Sequence, residues 1–254
     1  MECGTKHRTH GLALIMGMLC VFLTTMPARA QQPPVTIHIE IARPGAGDKR
    51  ASTAASIGAA NDVAVWLVPV DAANSSETAA VHSKPVQLVQ RNKTFEPHTL
   101  IVEVGTLVQF PNKDPFFHNV FSLFDGKRFD LGLYEAGSTN SVRFDRPGVS
   151  YLFCNIHAEM SAVVIAVPTP YYALSDRSGL ATFANVPDGR YRLQVWYERG
   201  LPEELKKIDR VVVIATTERA LGPIRVLPNP GFTAAHKNKY GEDYVPPNST
   251  YDHP

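Results

Sequence analysis

Hydrophobic and polar residues alternate in short runs along most of the chain. "VTIHIEI" (35–41) and "TLIVEV" (99–104) follow the two-residue period of a strand with one buried face. "AVVIAV" (162–167) is continuously apolar, which predicts a central strand buried on both faces. Gly, Pro, Asn and Asp separate such runs, and only "LPEELKKID" (201–209) predicts a helix. The pattern therefore predicts an all-β protein built from sandwiches or barrels.

The first 30 residues have the pattern of a secretory signal peptide. An apolar run (11–23) follows a basic leader, and the small residues Ala28 and Ala30 mark a cleavage site. The alternative is a retained anchor, but the run is short for a span of roughly 20 residues. We therefore expect a periplasmic or secreted protein with no membrane span after signal removal.

Composition argues against a nucleic-acid partner, and it shows that two sulfur-containing residues lie close together in the sequence. The 254 residues carry a net charge of +1 without a basic stripe, so no nucleic-acid binding is expected. After loss of the leader, the chain keeps one cysteine, Cys154, and one methionine, Met160, with His157 between them. A single exported cysteine forms no internal disulfide, and alone it would favour an inert buried residue. The neighbouring methionine and histidine instead favour a functional thiol, which could bind a metal, react or form an intermolecular bond.

The ligand chemistry of this cluster favours copper. Two histidines and one cysteine in a plane, with a weak axial methionine, make a blue-copper site, whereas zinc sites rarely use methionine. Zinc is the competing ion in recombinant protein. The second histidine must come from elsewhere, and His118 is favoured because a polar turn meets a β run at this position. The other histidines after the leader are His38, His82, His98, His236 and His253.

Two motifs resemble those of the cupredoxins, the plastocyanin- and amicyanin-like proteins. They are "HNVFS" (118–122) and "FCNIHAEM" (153–160), and the resemblance covers about 86–167. It implies a Greek-key β-sandwich that holds one type 1 copper. It also implies that Asn119 lies just behind the ligands and connects the two ligand loops. The implied ligands are His118, Cys154 and His157 in the plane and Met160 on the axis.

A second β unit resembles the carboxypeptidase regulatory-like, or transthyretin-like, sandwiches. The resemblance rests on "DRSGLATFANVPDGRYRLQVWYE" (176–198). Such a sandwich usually begins with two strands that precede this motif. One hypothesis is therefore that 31–75 and 168–228 form a single sandwich, with the cupredoxin domain inserted between them. The alternative is two consecutive domains. The predicted divisions are a signal peptide (1–30), N-terminal strands (31–85), a cupredoxin domain (86–167), a smaller second sandwich (168–228) and a flexible or surface-draped tail (229–254).

The sequence predicts a one-electron carrier between protein redox partners. The alternatives are a copper-handling protein and, further off, a component of a copper-dependent oxidoreductase. An enzyme with further copper would need paired His-x-His ligands, and the chain has none. No catalytic residue is therefore predicted, and the chain is expected not to be an enzyme.

Overall fold

The computed structural model describes residues 1–2, 32–42, 61–71, 85–123 and 126–244. Most of the predicted signal peptide and the end of the predicted tail, 245–254, lie outside the described residues. Strands and one short helix make up the described ranges, so the all-β prediction is confirmed. The helix is α1 (Pro202–Ile208). The strands are β1 (Val35–Ile41), β2 (Ala64–Pro69), β3 (Val86–Gln87), β4 (Val89–Arg91), β5 (Thr94–Glu96), β6 (Thr99–Glu103), β7 (Leu107–Pro111), β8 (His118–Ser122), β9 (Phe129–Tyr134), β10 (Thr139–Arg143), β11 (Gly148–Phe153), β12 (Ser161–Val167), β13 (Tyr172–Leu174), β14 (Leu180–Phe183), β15 (Gly189–Trp196), β16 (Arg210–Ile214) and β17 (Ala220–Val226).

Residues 86–167 form a two-layer sandwich. One sheet has the strand order β6-β12-β11-β8-β9 and the other has the order β10-β7-β3. Strand β12 pairs parallel with β6 and antiparallel with β11. The inward side chains of both sheets make one apolar core, which is the arrangement that the cupredoxin resemblance implies. Among its members are Val102, Val108, Phe110, Val120, Leu152 and Val164.

Strand β12 is buried on both faces, as its continuous apolar sequence predicts. Ala162 and Val164 belong to the core of the first sandwich. Val163 and Ile165 point to the other face, where they join a separate apolar cluster. A strand covered on both sides keeps its register, because a slip by one residue would exchange its two faces.

The second sandwich is built from strands that lie on both sides of the first in the sequence. Its sheets have the orders β14-β1-β17 and β13-β2-β15-β16, and they enclose a core of their own. Strand β2 pairs antiparallel with β15, from Tyr191 opposite Pro69 to Trp196 opposite Ala64. Strand β1 pairs antiparallel with β14. These are the strand pairings that the inserted arrangement requires.

An apolar junction joins the two sandwiches. The outer face of β12 packs with residues of β2 and β15, among them Ala64, Trp66 and Trp196. At the edge of this junction, Nε2 of His98 lies 2.8 Å from Oε2 of Glu198. One face of the five-stranded sheet is therefore covered by the three-stranded sheet of the same sandwich, and its other face is covered by the second sandwich.

Helix α1 confirms the one helix that the sequence predicts. Proline lies in its first turn beside Glu203 and Glu204, and Lys206 lies in its last turn. This distribution of charge suits the helix dipole. Leu205 is buried against the second sandwich.

The sequence predicts a flexible or surface-draped tail over 229–254, and the structure describes residues 229–244 of it. This segment makes hydrogen bonds to the first sandwich, one of them from the Tyr244 hydroxyl to the Cys154 carbonyl oxygen at 2.6 Å. The polar composition of this segment does not indicate these contacts, because composition carries no information about a partner 90 positions away in the sequence.

Truncating Ile165 tests the junction. We expect Ile165→Ala to lower the free energy of unfolding by about 2–4 kcal/mol, because it leaves a cavity between two covering layers. Denaturant unfolding measures this loss. Val213→Ala is the matched control, since Val213 is 64% exposed on a strand, and it should change stability by no more than about 0.5 kcal/mol. Equal effects of the two substitutions would show that the junction is not packed.

Candidate metal centre

The start of β8 and the loop between β11 and β12 bring the predicted ligands to one end of the first sandwich. His118 opens strand β8, and Cys154 directly follows β11. These strands are neighbours, with Phe153 opposite Phe121. The Cys154 N–H donates to the Met160 carbonyl at 3.1 Å, and the Met160 N–H donates to the His157 carbonyl at 3.1 Å. The short loop is therefore closed by its own backbone before it enters β12.

The ligand atoms of His118, Cys154 and His157 converge. Cys154 Sγ lies 3.8 Å from His118 Nδ1 and 3.5 Å from His157 Nδ1. All three atoms lie within 4.8 Å of one another. Bonds of about 2.3 Å to sulfur and 2.0 Å to nitrogen, meeting at a trigonal angle, would place sulfur and nitrogen about 3.7 Å apart. The observed spacing therefore fits one metal ion bound between the three atoms.

Met160 is fully buried at the end of the same loop. It belongs to the same apolar cluster as Cys154, and both have no exposed surface. A buried thioether next to a buried thiol offers soft donors without water. The role of Met160 as axial ligand stays a prediction.

The protonation states of His157 and Cys154 have opposite effects on metal binding at neutral pH. Burial lowers the pKa of His157 to about 4, so its imidazole is neutral at pH 7. Burial raises the pKa of the Cys154 thiol, while backbone hydrogen bonds from Asn119, Ile156 and His157 oppose this rise. Because a metal ligand must be the thiolate, metal binding here is coupled to release of a proton.

Asp114 orients His118, and the sequence reasoning missed this residue. The Nε2–H of His118 donates to Asp114 Oδ2 at 2.7 Å, which leaves the Nδ1 lone pair directed toward Cys154. The carboxylate also accepts from the backbone N–H groups of Asn92 at 2.6 Å and Lys93 at 2.9 Å. Burial raises the pKa of Asp114, but the hydrogen bonds from Lys93 and His118 outweigh it and lower the pKa below its ordinary value. An acid four residues before a predicted histidine ligand was the available signal.

Asn119 lies directly behind the ligands. Its backbone N–H is bonded to the sulfur of Cys154, which connects the His118 strand to the cysteine loop. Its side chain instead reaches β9, where Nδ2 donates to Asp130 Oδ1 at 2.7 Å and to the Gly132 carbonyl at 2.9 Å. The backbone of Asn119 therefore connects β8 to the cysteine loop, while its side chain forms hydrogen bonds with β9.

The remaining histidines have other surroundings. His98 pairs with Glu198, and His38 is exposed on β1. His236 stacks on the ring of Phe153, with centroids 4.1 Å apart. His82 and His253 lie outside the described residues. In the part of the chain that the structure describes, His118, Cys154 and His157 form the one group of His, Cys, Asp or Glu side chains arranged to hold a metal.

Several solved structures of copper proteins share a partial likeness with the chain. A Cu-containing nitrite reductase from Thermus scotoductus SA-01 is 26% identical with a TM-score of 0.32, over 39% of this chain and 27% of that chain. A purple cupredoxin from Nitrosopumilus maritimus is 24% identical with a TM-score of 0.30, over 32% of this chain and 99% of that chain. The reduced state of an amicyanin mutant is 21% identical with a TM-score of 0.31, over 37% of this chain and 89% of that chain.

These likenesses are weak, and the match spans about a quarter of the nitrite reductase. No protein-family model and no curated protein matches the chain. The case for a metal therefore depends on the ligand geometry and its chemistry.

Asp114→Asn tests the role of the carboxylate. We expect copper affinity to fall by roughly tenfold or more, because a ligand histidine loses the anion that orients it. Competition with a chelator of known affinity measures the change. Asp145→Asn is the control, because Asp145 is an exposed aspartate paired with Lys127 away from the site. Equal affinity of both variants and the unaltered protein would contradict the assigned role.

Proposed function

We propose that this chain is an exported protein with one type 1 copper site that carries single electrons between protein partners. The observation that carries the proposal is the convergence of Cys154 Sγ with the Nδ1 atoms of His118 and His157. Met160 supports it, since it offers a thioether at the end of the same loop.

The donor set favours copper over the other common metals. Thiolate and thioether are soft donors, and imidazole suits copper in both oxidation states. Calcium and magnesium require oxygen ligands, and zinc binds such a site less tightly than copper(II). When bound, copper would supply a one-electron couple. The chain's own residues would hold the ligands, exclude water and set the potential.

A carrier role is supported by the small rearrangement that the ligand atoms would need in order to bind a metal. The ligand atoms already lie at metal-binding distances, and backbone hydrogen bonds hold the loop between Cys154 and Met160. His157 is the one half-buried member of the group, and it lies beside Ile156, which is 46% exposed. Phe117 is 55% exposed next to His118. We propose that partners approach this apolar edge and exchange electrons through His157.

We propose a binding protein and not an enzyme. The sequence contains no His-x-His pair that could bind further copper. A copper-handling role is the competing proposal, and it predicts ready release of the ion. A carrier must instead retain copper in both oxidation states.

The proposed location is the periplasm or the outside of the cell. The support is the leader in residues 1–30, which has the pattern of a signal peptide. Within the described ranges, no helix has the length and apolar character needed to cross a membrane.

Adding Cu(II) to the leader-free protein tests the copper site. We expect one copper per chain and an intense visible band from the thiolate–copper bond, measured by absorption and EPR. Cys154→Ser should abolish the band, because it removes the one thiol outside the leader. A folded protein that shows no band with copper would contradict the proposal.

Redox cycling separates the carrier from the copper-handling protein. We expect reversible one-electron voltammetry with copper retained in the presence of a Cu(I) chelator. Loss of copper to the chelator on each reduction would favour copper handling instead. The measurement is the copper content per chain before and after repeated cycles.

A further inference from the structure

The C-terminal strap, residues 229–244, packs directly against the cysteine side of the metal centre. The ring of His236 lies on the ring of Phe153, with centroids 4.1 Å apart and planes 30° apart. Phe153 immediately precedes the ligand Cys154 and is 9% exposed. The strap therefore covers the end of strand β11 just before it delivers the thiol.

A second attachment involves Lys239. Its backbone N–H donates to Asn155 Oδ1 at 2.9 Å, on the residue after the ligand. Its ammonium donates to Asp130 Oδ2 at 2.8 Å. The other oxygen of Asp130 accepts from Asn119 Nδ2, so the strap is connected to the residue whose backbone bonds to the cysteine sulfur.

The third attachment reaches the ligand itself. The Tyr244 hydroxyl donates to the Cys154 carbonyl oxygen at 2.6 Å. The same hydroxyl lies 3.2 Å from His236 Nδ1. Since the hydroxyl proton is directed to the carbonyl, a proton on Nδ1 can bond to the hydroxyl oxygen. His236 and Tyr244 thus form a pair, with rings 5.2 Å apart, that holds the cysteine peptide from outside the sandwich.

These contacts are placed to act on the thiolate. Hydrogen bonds and exclusion of water around a cysteine ligand tune a copper site, and loss of a partner behind a metal ligand typically lowers metal affinity about 10- to 100-fold. A donor on the cysteine peptide draws electron density from the ligand and favours the reduced ion. A strap that served only to cover apolar surface would not need a hydroxyl aimed at the Cys154 carbonyl.

We propose that Tyr244 is a positioning residue for the Cys154 ligand, held in place by His236, and that the C-terminal strap is part of the metal centre. The proposal deepens the copper function proposed above and rests on it. The strap keeps the cysteine loop closed. It thereby slows the loss of copper from the site and raises the reduction potential of the bound copper.

Tyr244→Phe tests the proposal, with Tyr240→Phe as the matched control. Tyr240 lies in the same strap but is 71% exposed. We expect the Tyr244 variant to lose copper to a chelator roughly tenfold faster and to show a lower reduction potential with a shifted visible band. The Tyr240 variant should match the unaltered protein. Unchanged copper loss, potential and band in the Tyr244 variant would overturn the proposal.

A copper-free measurement separates this proposal from the proposed function. In the metal-free protein, alkylation of the Cys154 thiol should be several-fold faster in the Tyr244 variant than in the Tyr240 variant, because the strap no longer closes the loop. If the unaltered protein binds no copper but alkylation still differs, the copper function fails and the strap's hold on Cys154 stands. If copper binds and neither copper loss nor alkylation differs, the strap proposal fails and the copper function stands.

His236→Gln provides an independent variant. It removes the stacked ring but keeps a side chain that can donate a hydrogen bond. We expect it to shift the potential in the same direction as Tyr244→Phe, because Tyr244 loses its support. A thermal unfolding curve for each variant shows whether it is folded. A folded His236 variant with the unaltered potential would overturn the pairing of His236 with Tyr244.

Discussion

Cys154 Sγ and the Nδ1 atoms of His118 and His157 are held within 4.8 Å of one another in an apolar end of a β-sandwich, and the surrounding structure depends on this constraint. A thiol and an imidazole buried together need partners or they destabilise the fold. Asp114 supplies one partner for His118, and the backbone of Asn119 supplies another for Cys154. The neutral state of His157 leaves its lone pair available. The site is thereby arranged to bind a metal without rearrangement.

The two sandwiches contribute to this constraint in different ways. The first sandwich places the predicted ligands on β8 and on the loop between β11 and β12. The second covers the outer face of β12 through residues such as Trp66 and Trp196. A strand buried on both faces has little freedom to shift. The second sandwich therefore stiffens the strand that follows the Cys154–Met160 loop, although none of its described residues belongs to the group of His118, Cys154 and His157.

The spacing of residues in the sequence was enough to predict the Cys154–His157 part of the site. The rest of the site depends on contacts between residues that are far apart in the sequence. Cys154 and His157 are three residues apart in one loop, so their chemistry was visible directly. His118 was favoured because a polar turn meets a β run at its position, and the resemblance to cupredoxins implied the same residue. Asp114 was overlooked although it is four residues before His118. Tyr244 could not be found, since no pattern marks a tyrosine 90 residues away as a partner of Cys154. The alternation of apolar residues predicted the strands, while the pairing of β2 with β15 required the structure.

X-ray absorption at the copper edge, recorded on the loaded protein in both oxidation states, tests the central claim most directly. The account predicts one sulfur at a short distance and two imidazole nitrogens, with little change in bond lengths between Cu(II) and Cu(I). That result would mean that the fold has placed these three ligands in advance and holds them through the redox cycle. Absence of the short sulfur bond, or loss of a ligand on reduction, would contradict the account.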